Sequence, residues 1–497
     1  MAIIDELREF SAQLTDLSNI MSLLQWDQEV MMPARGTKAR ASQVAFLSRI
    51  MHQRIVSPAL RELLERIEDS RDTLSVIDQA LVRVMRRQHD QNRKLPEAFV
   101  AEFSELTSQA LAVWIEARQR SDYNLFKPLL DKIVHMSKQK AEFLGYTEVP
   151  YDALLDLHEE GLLTSRTASL FDKLKPILIN LLNRVRQQSP EEHLSLEKFD
   201  VRDQIEFSRL VLQVIGYEFE RGRQDQSAHP FSTSLGHDDR RVTNRYNPNS
   251  IEFIFTALHE GGHALYEQGV AAELARTHLD EGISLGIHES QSRLWENIIG
   301  RSRSFWRFFY PELQKAFPSH FSGLTVEDFY RAINAVRPGF IRVEADEVSY
   351  NLHVLIRFEL EMALIDGTLG VDDLPALWQE KYGDYLGVSF MDVADADAKG
   401  VLQDVHWAHG SFGYFPTYTI GNLAAAQFWS SYCRFDPDFQ QTLASGDLKR
   451  IKNWLNEKIY RHGAVYTPEE LFIRVTGEKL SEVHFLQYLN DKFQGGE

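Results

Sequence analysis

Apolar residues return at helical spacing through almost the whole of this 497-residue chain, and that period limits its fold more than any other feature. Ile4, Leu7, Phe10, Leu14, Leu17, Ile20, Met21 and Leu24 set it out over residues 3–28. The same spacing predicts helices over 37–70, 75–90, 96–121, 125–145, 165–188, 202–218, 326–336, 345–365, 375–386 and 420–432, and through the C-terminal stretch. Tyr151–Asp156, followed by His158, Glu159, Glu160 and Gly161, reads as a helix end and a solvated turn. No Pro/Gly/Ser-rich linker divides the chain. The expectation is a mainly α body over 1–497, with two lobes, 1–200 and 201–497, as its subdivision.

Composition narrows the function by exclusion. A formal net charge of −18 argues against nucleic acid, whose phosphates need a basic field. The only cysteine, Cys433, allows neither an internal disulfide nor a cysteine-based zinc site. The N-terminus carries acids early, and no apolar run is long enough to span a bilayer. The expected location is the cytoplasm, away from membranes.

The helical period breaks once on the way to its most informative stretch. Ala228–Gly236 is short, polar and rich in turn formers, whereas His237–Tyr246 alternates and carries β-formers, so it is expected to be a strand. Lying at an edge, such a strand could bind an extended peptide through main-chain hydrogen bonds. The helix that follows has Asn249 as its expected N-cap and Glu252 three residues on, as in a capping box. Ile251, Ile254, Phe255, Leu258, Leu265 and Tyr266 give its apolar period, and within it lies His259-Glu260-Gly261-Gly262-His263, an H-E-x-x-H. Residues four apart share a helix face, so His259 and His263 can offer both imidazoles to one metal ion. Glu260, one residue round the helix, is better placed to hold the water than the ion. Each helix-interior glycine costs about 1 kcal/mol relative to alanine. The pair therefore implies that a backbone or a bound peptide passes close over Gly261 and Gly262.

A catalytic zinc needs a third protein ligand and an open position. The metzincin continuation would place glycine and histidine where Tyr266 and Gly269 stand, so that class is excluded. An acidic ligand from a second helix is the alternative, with Asp280, Glu281, Glu289 and Glu296 as candidates. Glu289 is favoured because it follows His288 at an apolar-flanked helix start. Further on, Gly400–Tyr418 is aromatic and glycine-rich, and it holds His406, His409, Tyr414 and Tyr418.

Six short motifs stand in order along the chain: His229-Pro230-Phe231, Asp239-x-Arg241-x-Thr243, the H-E-x-x-H, His288-Glu289-Ser290-Gln291, Ile341-Arg342-x-x-Ala345-Asp346, and Gly400-x-x-Gln403-Asp404-x-His406-Trp407. Together with Trp26-Asp27-Gln28 and Met32-Pro33, they make the chain resemble the thermostable carboxypeptidase 1 (Taq carboxypeptidase) family of metallocarboxypeptidases. The resemblance implies a helical ellipsoid with a deep groove, like neurolysin and angiotensin-converting enzyme, with a small sheet beside the motif helix. It implies one peptidase domain that is typically homodimeric and releases single residues from free peptide C-termini with broad specificity. It further implies zinc, replaceable by cobalt or another divalent metal, on His259, His263 and Glu289.

In that reading Glu260 is the general base and acid for a metal-activated water. His406, His409, Tyr414 and Tyr418 are candidate oxyanion donors. Arg342 first and Arg241 second suit the terminal carboxylate, because a guanidinium fork pairs with it bidentately. The competing role for each arginine is a structural pair, with Asp346 or Asp239. His229, Asp239 and His409 complete the candidate substrate contacts. An oligoendopeptidase on the same plan and a non-catalytic, metal-stabilised helical scaffold are the alternatives.

Overall fold

The helical period of the sequence is realised, and the departures from it have local causes. The computed structural model describes residues 3–187 and 198–494. The first helix, Ile3–Val30, ends ahead of Pro33. The helix expected over 37–70 is two helices, Thr37–Ile55 and Pro58–Glu68. Proline starts the second because it needs no amide partner there, and the Ser57 hydroxyl accepts from the Leu60 amide at 3.3 Å. Tyr151–Asp156 belongs to a short helix of its own, Pro150–Asp156, rather than a helix end. One Asp152 carboxylate oxygen accepts from the Glu148 and Val149 amides and fixes its start. Nor is the turn after it wholly solvated, since Glu159 is buried.

The chain forms two compact units, each drawn from three separate stretches of sequence. One unit comprises Met1–Arg93, Leu194–Tyr330 and Ala424–Leu480; the other comprises Lys94–His193, Arg331–Leu423 and Ser481–Glu497. The reason lies in the first unit's core. Leu7, Leu14, Leu60, Leu64 and Met85 from the N-terminal helices bury their apolar faces with Val270, Leu274 and Leu279, far along the chain. Burial of apolar area overrides sequence proximity.

The strand predicted over 237–246 is shorter, Asp239–Asn244, and it is not an edge. Call it β3; β1 is Gln224–Gln226 and β2 is Ser232–Gly236. The sheet order is β1-β3-β2, with β1 parallel to β3 and β2 antiparallel. Both sides of β3 are hydrogen-bonded, so any added peptide strand would have to use β1 or β2. Both outer strands escaped the sequence reading because they are short and polar. The Thr243 hydroxyl oxygen accepts from the Phe231 amide at 2.9 Å, and Asn244 Nδ2 donates to the Phe253 carbonyl at 2.8 Å. The second bond ties the sheet to the first turn of the motif helix.

In the second unit, helices Glu97–Arg120, Tyr123–Leu144, Thr164–Val185, Tyr350–Asp366 and Leu374–Leu386 supply the frame. Gly413, at φ +84°, presses on the short helix Pro150–Asp156: a Cβ there would lie 2.5 Å from the Leu154 carbonyl oxygen. Only glycine fits that conformation and that approach.

Candidate metal centre and active site

The motif helix is Glu252–Gln268, and its start differs from expectation. Asn249 does not cap it; the Ser250 hydroxyl accepts from the Glu252 amide at 3.1 Å instead. A second helix, Leu285–Arg293, begins with the Ser284 hydroxyl accepting from the Ile287 amide and runs into a π-helical turn, Leu294–Ile299. The two glycines explain how these helices approach. A Cβ on Gly262 would fall 2.5 Å from the Gln291 carbonyl oxygen and 2.8 Å from Ser292 Cα. A Cβ on Gly261 would strike Ile215 and Leu212 of helix Val201–Ile215. The missing side chains let one helix backbone lie against the other.

That approach brings three donor atoms together. The Nε2 atoms of His259 and His263 lie 3.7 and 3.5 Å from Glu289 Oε2, and the ligand atoms of all three lie within 4.8 Å of one another. Among the described residues this is the one cluster of His, Cys, Asp or Glu with such spacing. The competing acids have other partners. Glu296 Oε2 meets His259 Nδ1 at 2.8 Å, and Asp280 Oδ1 meets His237 and Arg240. Two imidazoles and a carboxylate, with a carboxylate on the outer nitrogen of His259, suit a divalent cation in both ligand type and outer support.

Charge at Glu289 and His263 supports that fit, whereas His259 must give up its proton to bind an ion. Burial raises the Glu289 carboxyl, but Arg293, at 2.7 Å, and the two imidazoles outweigh it and hold the group well below the usual range. Burial lowers His263 to about 4, so it is neutral, as a ligand must be. Burial also opposes charge on His259, but Glu289 and Glu296 more than offset it and raise the group to about 9. Glu260 lies on the same helix, 7% exposed, and burial pushes its carboxyl up to about 7. A group that takes and returns a proton near neutral pH has this character.

The other predicted residues fall into two places. In the first unit, Arg241 donates to both oxygens of Asp239, at 2.8 and 2.7 Å, and its guanidinium lies 4.3 Å from the Trp26 ring centroid. His229 is exposed, and its carbonyl accepts from the Ser227 hydroxyl at 2.7 Å.

In the second unit, Arg342 is 4% exposed. Its Nε and Nη2 donate to Asp404 Oδ1 at 3.1 and 2.8 Å, and its Nη1 donates to the Tyr350 hydroxyl at 3.0 Å. Its carboxylate partner is therefore Asp404, not the Asp346 named from sequence. Asp346 instead accepts from the Val348 and Ser349 amides ahead of helix Tyr350–Asp366. The other Asp404 oxygen accepts from Arg357 Nε at 2.7 Å. His406 Nε2 lies 3.1 Å from the Tyr418 hydroxyl, and the Tyr414 ring, edge-on to His406 and tilted against Tyr418, has its centroid within 5.3 Å of both. Burial lowers His406 to about 3, so its imidazole is neutral. His409 is exposed.

Sequence reasoning weighed Glu296 only as a ligand and missed it as the partner of His259. Arg293 was missed entirely, though its spacing of four from Glu289 was a readable sign.

Known proteins resemble this chain over nearly its whole length. The family model for carboxypeptidase Taq (M32) metallopeptidase matches residues 6–493. The chain is 39% identical over 491 residues to carboxypeptidase 1 of Bacillus subtilis, covering 98% of this chain and 97% of that protein. It is 42% identical over 509 residues to thermostable carboxypeptidase 1 of Thermus thermophilus, covering 99% and 98%. Among solved structures, the M32 carboxypeptidase from Deinococcus radiodurans superposes with a TM-score of 0.96 at 38% identity, over 100% of this chain and 99% of that one.

Proposed function

We propose that this chain, which belongs to the carboxypeptidase Taq (M32) metallopeptidase family and is a metallocarboxypeptidase, removes single residues from free peptide C-termini with His259, His263 and Glu289 as zinc ligands and Glu260 as the base. The ligand assignment is supported by three donor atoms within 4.8 Å of one another, on two helices in backbone contact. This convergence carries the reading. Family membership displaces the oligoendopeptidase and scaffold alternatives.

A divalent metal at such a site supplies Lewis acidity, which acidifies water and polarises a carbonyl. The chain's own contribution is to place and charge the groups around it. Glu260 takes a proton from the attacking water and returns it to the departing amine. Glu296 holds His259 through Nδ1 and so leaves Nε2 for the ion. The roles of His406, Tyr414 and Tyr418 as oxyanion donors, and of His229, Asp239 and His409 as substrate contacts, rest on the family's motifs. Arg342 and Arg241 are the proposed readers of the terminal carboxylate. Each already holds an aspartate, so a substrate carboxylate must share or open that pair. Among the described residues, no helix is long and apolar enough to cross a membrane. A cytoplasmic homodimer is the proposed working form.

The test is a short peptide offered as the free acid and as the C-terminal amide, with and without chelator, and read by mass. The expected result is a ladder of lost C-terminal residues from the free acid alone, abolished by chelator and restored by zinc or cobalt. Equal rates on acid and amide would refute the exopeptidase reading.

A further inference from the structure

The two histidine ligands are supported differently. His259 Nδ1 meets a carboxylate directly. His263 Nδ1 meets another imidazole, His288 Nδ1, at 2.5 Å. The opposite nitrogen of that ring, His288 Nε2, lies 3.1 Å from Glu267 Oε1. Arg240 Nη1 approaches the other Glu267 oxygen at 3.4 Å, while its Nη2 donates to Asp280 Oδ1 at 2.7 Å.

The direction of the chain follows from what each group can do. Glu267 beside Arg240 is a carboxylate acceptor, so the proton of His288 sits on Nε2. The His288 Nδ1 lone pair then accepts from His263 Nδ1–H, and His263 Nε2 is left without a proton. That nitrogen is the one 3.5 Å from Glu289 Oε2. The relaying ring is also held in place. A Cβ on Gly282 would lie 2.5 Å from His288 Cδ2, and the Tyr266 ring centroid stands 5.4 Å from that of His288. The Tyr266 hydroxyl in turn accepts from the Ile283 amide at 3.2 Å.

We infer that His288, Glu267 and Arg240 are positioning residues that fix the tautomer and orientation of His263 through an imidazole relay. The inference rests on His263 being a metal ligand. Partners of this kind change metal affinity by roughly 10- to 100-fold when they are removed. The relay is built from β3, the motif helix and the Glu289 helix, so it also locks three elements around one ligand.

The experiment uses the full chain and measures zinc affinity by chelator competition, the cobalt-loaded absorption spectrum, and the Tm of the metal-free protein. His288→Phe removes the acceptor for His263 Nδ1–H and should weaken zinc binding by about 10- to 100-fold and alter the cobalt spectrum. His288→Gln offers an amide oxygen in its place and should recover part of both. Glu267→Gln keeps the shape, and should give a smaller loss with the metal-free Tm unchanged. Wild-type affinity and spectrum in both His288→Phe and Glu267→Gln would overturn the relay; if His288→Phe does not fold, Glu267→Gln alone decides. If the wild type binds no stoichiometric metal, or His263→Ala binds it as well as the wild type, the metal-site reading itself fails.

Discussion

Each unit buries a charged cluster, and the two clusters are finished in opposite ways. In the first, His259, His263 and Glu289 turn their donor atoms toward one another, while Arg293, Glu296 and His288 engage their outer atoms. In the second, Arg342, Arg357 and Asp404 close on themselves: both carboxylate oxygens and both guanidinium groups are engaged within the cluster. Donor atoms that converge with room for an ion mark chemistry. Charges that consume one another mark architecture, because a buried pair broken on one side is costly. By this contrast Arg342 has a structural duty whatever else it does.

The sharpest way to break the contrast is at Glu260. Glu260→Gln should retain zinc, measured by metal content, and lose on the order of 10²- to 10⁴-fold in kcat. Retained turnover would remove Glu260 from the mechanism.

At the closed cluster, Asp404→Asn leaves two buried guanidinium groups without their anion. It should cost about 3–5 kcal/mol in a denaturant titration, with no necessary change in metal affinity. The two arginines hold the Asp404 carboxyl far below its ordinary value against the pull of burial. Its stabilising effect is therefore complete above the ordinary aspartate range and is lost as pH falls below it. The variant should show a flatter acid limb than the wild type, and an identical limb would place the pH sensitivity elsewhere.

Two smaller changes probe the open cluster. Glu296→Gln should weaken zinc by roughly 10- to 100-fold, as removal of a carboxylate behind a histidine ligand does. Gly262→Leu should cost about 1–3 kcal/mol by overpacking. It should also lower metal affinity, because the displaced backbone carries Glu289. Normal affinity in that variant would show that the helix contact is not what sets the ligand.

Much of the first cluster was legible in sequence because its parts lie close along the chain. The spacing of His259 and His263 needs only a helix, and Gly261 and Gly262 announce a close approach by breaking a helical preference. Choosing Glu289 over Glu296 was harder, since both sit on the same downstream segment, and only side-chain direction separates them. Arg240 and Glu267 could not be read, because their role depends on a strand and two helices meeting. The same limit hid the Arg342–Asp404 pair, which joins residues far apart in sequence, and it drew attention to the nearer Asp346. Among the elements, long helices were plain. The break at Ser57 and Pro58 was signalled by a capping residue and a proline, yet the apolar period ran across it. The strands flanking β3 carry no apolar alternation and are defined by their pairing alone.

The contact between Gly262 and the Gln291–Ser292 backbone has a mechanical consequence. Side chains can change rotamer to follow an ion as it enters or leaves; two main chains resting on each other cannot. The seat for the ion is thus set by the folding of the helices and does not wait for the ion to arrive. If the three groups hold a divalent ion as proposed, this main-chain contact makes the site a fixture whose spacing belongs to the frame and not to the ion.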